Sequence, residues 1–330
     1  MYGRRKQLYQ QLEQARNARV LVYVTGDRPG LEARIASDVY EFFVNHLDTI
    51  GVSSRISLLL YTRGGETLTA WSIVNLIRQF CDYLEVIVPS KCHSAGTLMC
   101  LGANQIIMTK QATLGPIDPS VNSNLNPQIP GAAPGAKAPV SVEAINGFIE
   151  MASQHSGLRW FGGRKIILET LAKSVHPLVL GEVFRTKSQI QMLARRLLVH
   201  QVHDKSKTNA IIGFLCSESG SHDYTIHRRE ARELGLQVEK PSQDLYDQLI
   251  KPIYDDIKEE LDLTSRLDIN SFLGPNVVAN YDFRRCLIES TTGGSHYFAS
   301  QGRFLKQQPQ GSAPVLQDQR EFEGWKHERP

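Results

Sequence analysis

Short, continuous apolar runs alternate with amphipathic stretches through the first third of the chain. Residues 4–18 carry helix-favouring Arg, Lys, Gln, Leu and Ala, and VLVYVTG at 20–26 then reads as a buried strand closed by a glycine turn. A helical stretch over 34–49 follows, then a strand ISLLLYT at 56–62, a helix over 67–80 and a strand LEVIVP at 84–89. A short apolar helix over 95–103 and a strand QIIMT at 105–109 repeat the rhythm. Strands apolar at every position, alternating with amphipathic helices, predict a mostly parallel sheet covered on both faces with right-handed crossovers.

The pattern changes after Asp118. Residues 119–140 hold five prolines and no periodic apolar face, which predicts a long surface loop. Helical signals dominate from Val142 to about Leu261, including a basic amphipathic stretch at 187–200 and a segment 227–235 that stops at Gly235. DFRRCLIESTTGGSHYFASQGRF at 282–304 predicts two strands joined across Thr292, Gly293 and Gly294. The last two dozen residues, rich in Gln, Pro and charge, read as a poorly ordered tail. The expected organisation is an N-terminal helix (1–18), an α/β core (19–120), a Pro/Gly-rich loop (121–140), a helical part of the same domain (141–262) and a C-terminal extension (263–330). No internal repeat is visible.

Composition narrows the function classes. The 330 residues are 41% hydrophobic and 22% charged with a net charge of +3, as in an ordinary globular protein. Lys and Arg are dispersed, so neither nucleic acid nor a membrane surface is an expected partner. The cluster Arg4, Arg5, Lys6 reads as a solvated helix face. Cys81, Cys92, Cys100, Cys216 and Cys286 form no Cys-x-x-Cys pair and no disulfide framework, and are read as reduced thiols. With no apolar leader at the first residues and no run of membrane-spanning length, the expected location is the cytoplasm.

Two segments carry chemistry. Tyr61-Thr62-Arg63-Gly64-Gly65-Glu66 closes one strand and Lys91-Cys92-His93-Ser94-Ala95-Gly96-Thr97 follows the next. A glycine pair after a buried strand admits backbone geometries closed to other residues and brings bare N–H groups near a ligand. A serine on a strand-to-helix turn, followed by small residues, exposes its hydroxyl where an adjacent N–H helps hold an oxyanion. Each motif taken singly is an ordinary turn or cap. In consecutive βα units they describe an acyl-transfer site.

LLLYTRGGETLTAWSIVNLIRQF, VPSKCHSAGTLMCLGANQIIMT and LGPIDPSV resemble the serine dehydrogenase proteinase family of Clp-fold proteins, with HPLVLGEVFR at 176–185 and SHDYTIHRREARELGLQV at 221–238 resembling later family segments. The resemblance runs from about residue 19 to 262. It implies an α/β fold of the Clp/crotonase type, a spiral of ββα units with a helical second half and a short C-terminal β-hairpin extension. It further implies Ser94 as nucleophile, an oxyanion hole from the N–H groups of Gly64 or Gly65 and of Ala95, a peptide or protein substrate, no cofactor, and self-assembly into a homo-oligomer.

The chain departs from the Clp protease pattern at the base, because the position matching the Clp histidine is Asp118. Three substitutes are open. Lys137 precedes a helix in a placement similar to the lysine of Ser-Lys signal peptide peptidase relatives, His222 lies in a family-like stretch, and Asp118 stands at the loop entrance. Against each stands a plainer role: a solvated loop cation, a cap or packing residue, a turn residue. His93 adjoins Ser94 but points to the opposite face of an extended backbone, which suits packing or gating. Cys92 reads as a small buried hydrophobe, and His200 with His203 lacks a third ligand for zinc. The alternatives to a serine peptidase are a crotonase-like acyl-CoA hydratase or isomerase, and an inactive oligomeric scaffold of the same fold.

Overall fold

In the computed structural model the described residues are all but 118, 119, 122, 134, 156–160, 219–222 and 308–314. The elements in chain order are α1 (Tyr2–Arg16), β1 (Arg19–Thr25), α2 (Tyr40–Ile50), β2 (Ser53–Tyr61), α3 (Thr67–Arg78), β3 (Cys81–Val88), β4 (Lys91–Cys92), α4 (Ala95–Leu101), β5 (Gln105–Met108) and β6 (Thr113–Leu114). There follow β7 (Ser120–Val121), β8 (Val140–Ser141), α5 (Val142–His155), α6 (Phe161–Ser174), α7 (Pro177–Leu198), α8 (Lys205–Gly213), β9 (Ile226–His227), α9 (Arg228–Glu233) and β10 (Val238–Glu239). The chain ends with α10 (Gln243–Leu245), α11 (Lys251–Glu260), α12 (Ile269–Leu273), β11 (Val278–Ser290), β12 (Gly294–Gln307) and β13 (Val315–Glu328). Two compact units emerge, one from residues 1–114 with 227–330 and one from residues 115–226.

The first unit is built on an eight-stranded sheet in the order β10-β5-β3-β2-β1-β11-β12-β13. The strands from β10 to β1 are parallel, as the apolar runs predict, and β11 to β13 continue the sheet antiparallel from the β1 edge. Alternate residues of β1 serve opposite faces. Val20, Val22 and Val24 join Tyr9 and Leu12 of α1 and Ile253 and Ile257 of α11 in one buried cluster. On the other face Tyr23 meets Phe43 of α2 edge-on, with ring centroids 5.1 Å apart. β1 therefore has two apolar faces to bury, which is why its sequence shows no polar alternation.

Two expectations do not hold. Arg5 is not on a solvated face but fully buried, its guanidinium forked onto Glu289 of β11 (Nη2–Oε1 2.6 Å, Nε–Oε2 3.0 Å) and its Nη1 2.5 Å from Asp256 of α11. Tyr9 adds a hydroxyl donor to the same Glu289, so a polar cluster stitches the first helix to the last part of the chain. The terminal segment, expected to be a poorly ordered tail after a short hairpin, forms β13. It pairs with β12 from Val315 to Glu328, so the extension is a three-stranded meander rather than a hairpin alone.

The second unit is helical, with α5, α6 and α7 burying two small clusters. One holds Val121, Val140, Val142, Val179 and Val183, the other Ala152, Ile167 and Leu171. The predicted long loop is pinned at its ends by the β7–β8 pair and within by a bridge between Gln128 and Lys137. Among the described residues no helix is long and apolar enough to cross a membrane.

Candidate active site

The C-terminal ends of β1, β2 and β3 meet at one end of the parallel sheet, and both chemistry-bearing segments leave the sheet there. After Tyr61 the chain turns through Gly64 (φ 108°) and Gly65 (φ 149°), conformations that only glycine adopts at little cost. A side chain at Gly64 would place its Cβ 2.7 Å from Ser94 Cβ and 3.2 Å from the Ala95 nitrogen. One at Gly65 would lie 2.2 Å from the Ile35 carbonyl oxygen. The glycine pair therefore lets two backbones touch: Gly64 against the serine turn, Gly65 against the segment before α2.

Ser94 caps α4 with φ 52° and ψ −117°, a backbone state outside the left-handed well that Asn17 occupies at the end of α1. Such a conformation costs on the order of 1–3 kcal/mol and persists only where surrounding contacts enforce it. Those contacts are visible. β4 pairs with β6, the Thr62 N–H donates to Lys91 O and the His93 N–H to Thr62 O (both 3.0 Å), and the Thr97 hydroxyl donates to Cys92 O at 3.0 Å. The turn is clamped on both sides of Cys92, and Ser94 is left half-buried at the helix start.

The N–H groups of the two glycines differ in their partners. The Gly64 N–H donates to the Thr62 hydroxyl at 2.9 Å and is spent. The bridge between this turn and Ile35 uses Gly64 O and the Glu66 N–H, passing over the N–H of Gly65. The Ala95 N–H is the first of α4, with no carbonyl a turn behind it, whereas the Gly96 N–H is satisfied by His93 O. Among the described residues Gly65 and Ala95 thus hold N–H groups without a partner, flanking the contact between Gly64 and Ser94.

Other residues of the segment are accounted for by packing. The His93 Nε2 lies 2.9 Å from the Thr113 hydroxyl of β6. Cys92 is fully buried, its Sγ 3.5 Å from Cys100 Sγ, and burial holds its thiol well above the ordinary range. A protonated thiol sealed from solvent is no nucleophile. Lys91 Nζ and the Tyr61 hydroxyl each reach Asp27, both at 2.6 Å, and burial followed by the Asp27 contact drives the Tyr61 phenol far upward. Asp27, Thr25 and Thr62 were not singled out by sequence. Hydroxyls and carboxylates at strand ends are commonplace, and only the sheet order brings these together.

Of the three candidate bases, Asp118 and His222 lie outside the described residues. Lys137 is half-buried in the second unit, whereas Ser94, Gly64, Gly65 and Ala95 come together in the first. Among the described residues no group of three or more His, Cys, Asp or Glu is placed to hold a metal ion.

Residues 3–135 match the family of ClpP-like SDH-type serine proteinases. The resemblance read from the sequence is borne out over the glycine turn and the serine turn, and the match also takes in α1. Two uncharacterized proteins of Methanocaldococcus jannaschii are 30% and 27% identical to the chain over 184 residues. Those residues are 56% of this chain and 53% and 51% of the two proteins, so the chain spans about half the length of the curated relatives it matches. Among solved structures, a membrane-bound stomatin-specific protease mutant in complex with a substrate peptide aligns over 69% of this chain and 78% of its own, at 16% identity and TM-score 0.37. ClpP1 from Listeria monocytogenes aligns over 72% of this chain and 99% of its own, at 14% identity and TM-score 0.37.

Proposed function

We propose that the chain is a serine peptidase that cleaves peptide bonds through an acyl-enzyme on Ser94. The observation that carries this reading is the strained Ser94 turn with the N–H groups of Gly65 and Ala95 beside it, unpartnered among the described residues. Preorganised donors next to a forced nucleophile suit a reaction in which negative charge develops on a carbonyl oxygen. The family match over residues 3–135 supports the same chemistry.

In the proposed sequence, Ser94 Oγ adds to the carbonyl carbon of the scissile bond while a base takes its proton. The carbonyl electron pair moves onto oxygen, where the Gly65 and Ala95 N–H groups stabilise it. Collapse of the tetrahedral species breaks the C–N bond, and the departing amine takes the proton from the base. Water then adds to the acyl ester, giving its proton to the base, and expulsion of Ser94 Oγ restores the hydroxyl and frees the acid. Lys137, the candidate to which the resemblance to Ser-Lys relatives points, is the base in this reading, with His222 and Asp118 as the alternatives. Homo-oligomeric assembly belongs to the same proposal.

The test is hydrolysis of a mixed peptide library by the purified chain, with products sequenced by mass spectrometry. New N-termini that vanish in Ser94→Ala support the reading. Turnover of acyl-CoA thioesters without any peptide cleavage would replace it with the crotonase-type alternative.

A further inference from the structure

Four parts of the first unit converge on one residue. Thr62, fully buried at the end of β2, has its backbone tied to β4 on both sides of Cys92. Its hydroxyl receives the Thr25 hydroxyl of β1 at 2.7 Å and the Gly64 N–H at 2.9 Å. Its methyl occupies the space beside α4 where a Cβ on Gly96 would come within 2.4 Å. One residue thus touches the strand that leads to Ser94, the helix that supplies the Ala95 N–H, and the turn that supplies the Gly65 N–H.

We infer that Thr62 is a positioning residue whose hydroxyl sets the geometry of the oxyanion donors, an inference that rests on the peptidase reading above. The physical reason lies in the glycine turn itself. Two successive glycines have the widest backbone freedom of any dipeptide, so their peptide planes point in a fixed direction only if something holds one of them. By accepting the Gly64 N–H, the Thr62 hydroxyl fixes that peptide group, while the next N–H, that of Gly65, takes no part in the bond. The Thr25 hydroxyl completes the chain by donating to Thr62 Oγ1, which orients that oxygen as an acceptor. Without the hydroxyl the turn loses its internal tether, and the donor is displaced from where charge develops rather than deleted.

The experiment compares wild type, Thr62→Val, Thr62→Ser and Thr62→Ala in the full chain. The readouts are the second-order rate of Ser94 labelling by a fluorophosphonate, and kcat and KM separately on a peptide found to be cleaved. Thr62→Val keeps the branched shape and removes the hydroxyl, and is expected to slow labelling and lower kcat by about 10- to 100-fold with KM within about threefold of wild type. Thr62→Ser, which restores the hydroxyl and drops the methyl, is expected to recover most of the rate. Should Thr62→Val fail to fold, Thr62→Ala is read in its place against Thr62→Ser. Unchanged labelling in a folded Thr62→Val chain overturns the inference, as does a Thr62→Ser chain as slow as Thr62→Val, which would make the methyl packing the cause. Absence of Ser94 labelling in wild type instead overturns the peptidase reading, so the two failures are distinct.

Discussion

Acid should loosen this protein well before its carboxylates titrate, because two histidines are folded in the neutral state. His46 of α2 is fully buried, its Nδ1 2.8 Å from the Ser290 hydroxyl and its Nε2 3.0 Å from His296 Nδ1. The His327 ring stacks on His296 with centroids 4.1 Å apart. Burial first, and then the neighbouring His296 and His327 rings, push His46 down to about 3, while burial followed by His327 pushes His296 down to about 4. A proton on both facing nitrogens would set N–H against N–H, so the pair cannot be doubly charged. The unfolded chain takes up these protons near pH 6.5 and the folded chain refuses them, so stability is whole above that pH and falls as pH drops toward the folded values. At about 1.36 kcal/mol per pH unit, His46 alone costs roughly 2 kcal/mol between pH 6.5 and 5, with His296 adding to it. Asp256 and Glu260, whose carboxyls are held below the usual range against desolvation by Arg5 and other cationic partners, contribute stability that is lost only below about pH 4. Urea unfolding at pH 7.5, 6 and 5 should show the midpoint falling, and His46→Gln should flatten that fall by about one proton's worth. A midpoint level from pH 7.5 to 5, or an equal slope in wild type and His46→Gln, would refute this reasoning.

Two further outcomes follow from named contacts. Arg5→Met leaves Glu289 buried without its cation and should cost about 3–5 kcal/mol of unfolding free energy, read by chemical denaturation; a loss below 1 kcal/mol would show that the cluster is not a unit. For the base, Lys137→Ala should lower acylation by roughly two to four orders of magnitude while His222→Ala leaves most activity, read as single-turnover rates; the opposite result moves the role to His222.

The parallel half of the sheet was legible because its evidence is local. The buried residues of β1, β2, β3 and β5 are apolar on both faces save for a few such as Ser57 and Glu85, and a glycine pair or a serine before Ala-Gly can be read without knowing what lies nearby. What escaped depends on distant partners. Arg5 resembles its exposed neighbour Arg4 in sequence, and only Glu289 and Asp256, brought in by the last strands and α11, make its burial tolerable. β13 is mostly exposed and rich in Gln and charge, so it lacks an apolar face to announce it, and it is a strand because β12 offers it a ladder. At the site, sequence pointed to Ser94, Gly64, Gly65 and Ala95 but left the glycines equivalent. The distinction lies in one hydrogen bond, from the Gly64 N–H to the Thr62 hydroxyl.

Covalent capture asks outright whether Ser94 is a working nucleophile. The chain is treated with a fluorophosphonate, digested, and the modified residue mapped by mass spectrometry, with Ser94→Ala carried in parallel at matched thermal stability. Stoichiometric modification on Ser94 is expected in wild type and none in the variant. A modification on Cys92 or another residue that persists in Ser94→Ala, or no modification of a folded wild-type chain, would contradict it.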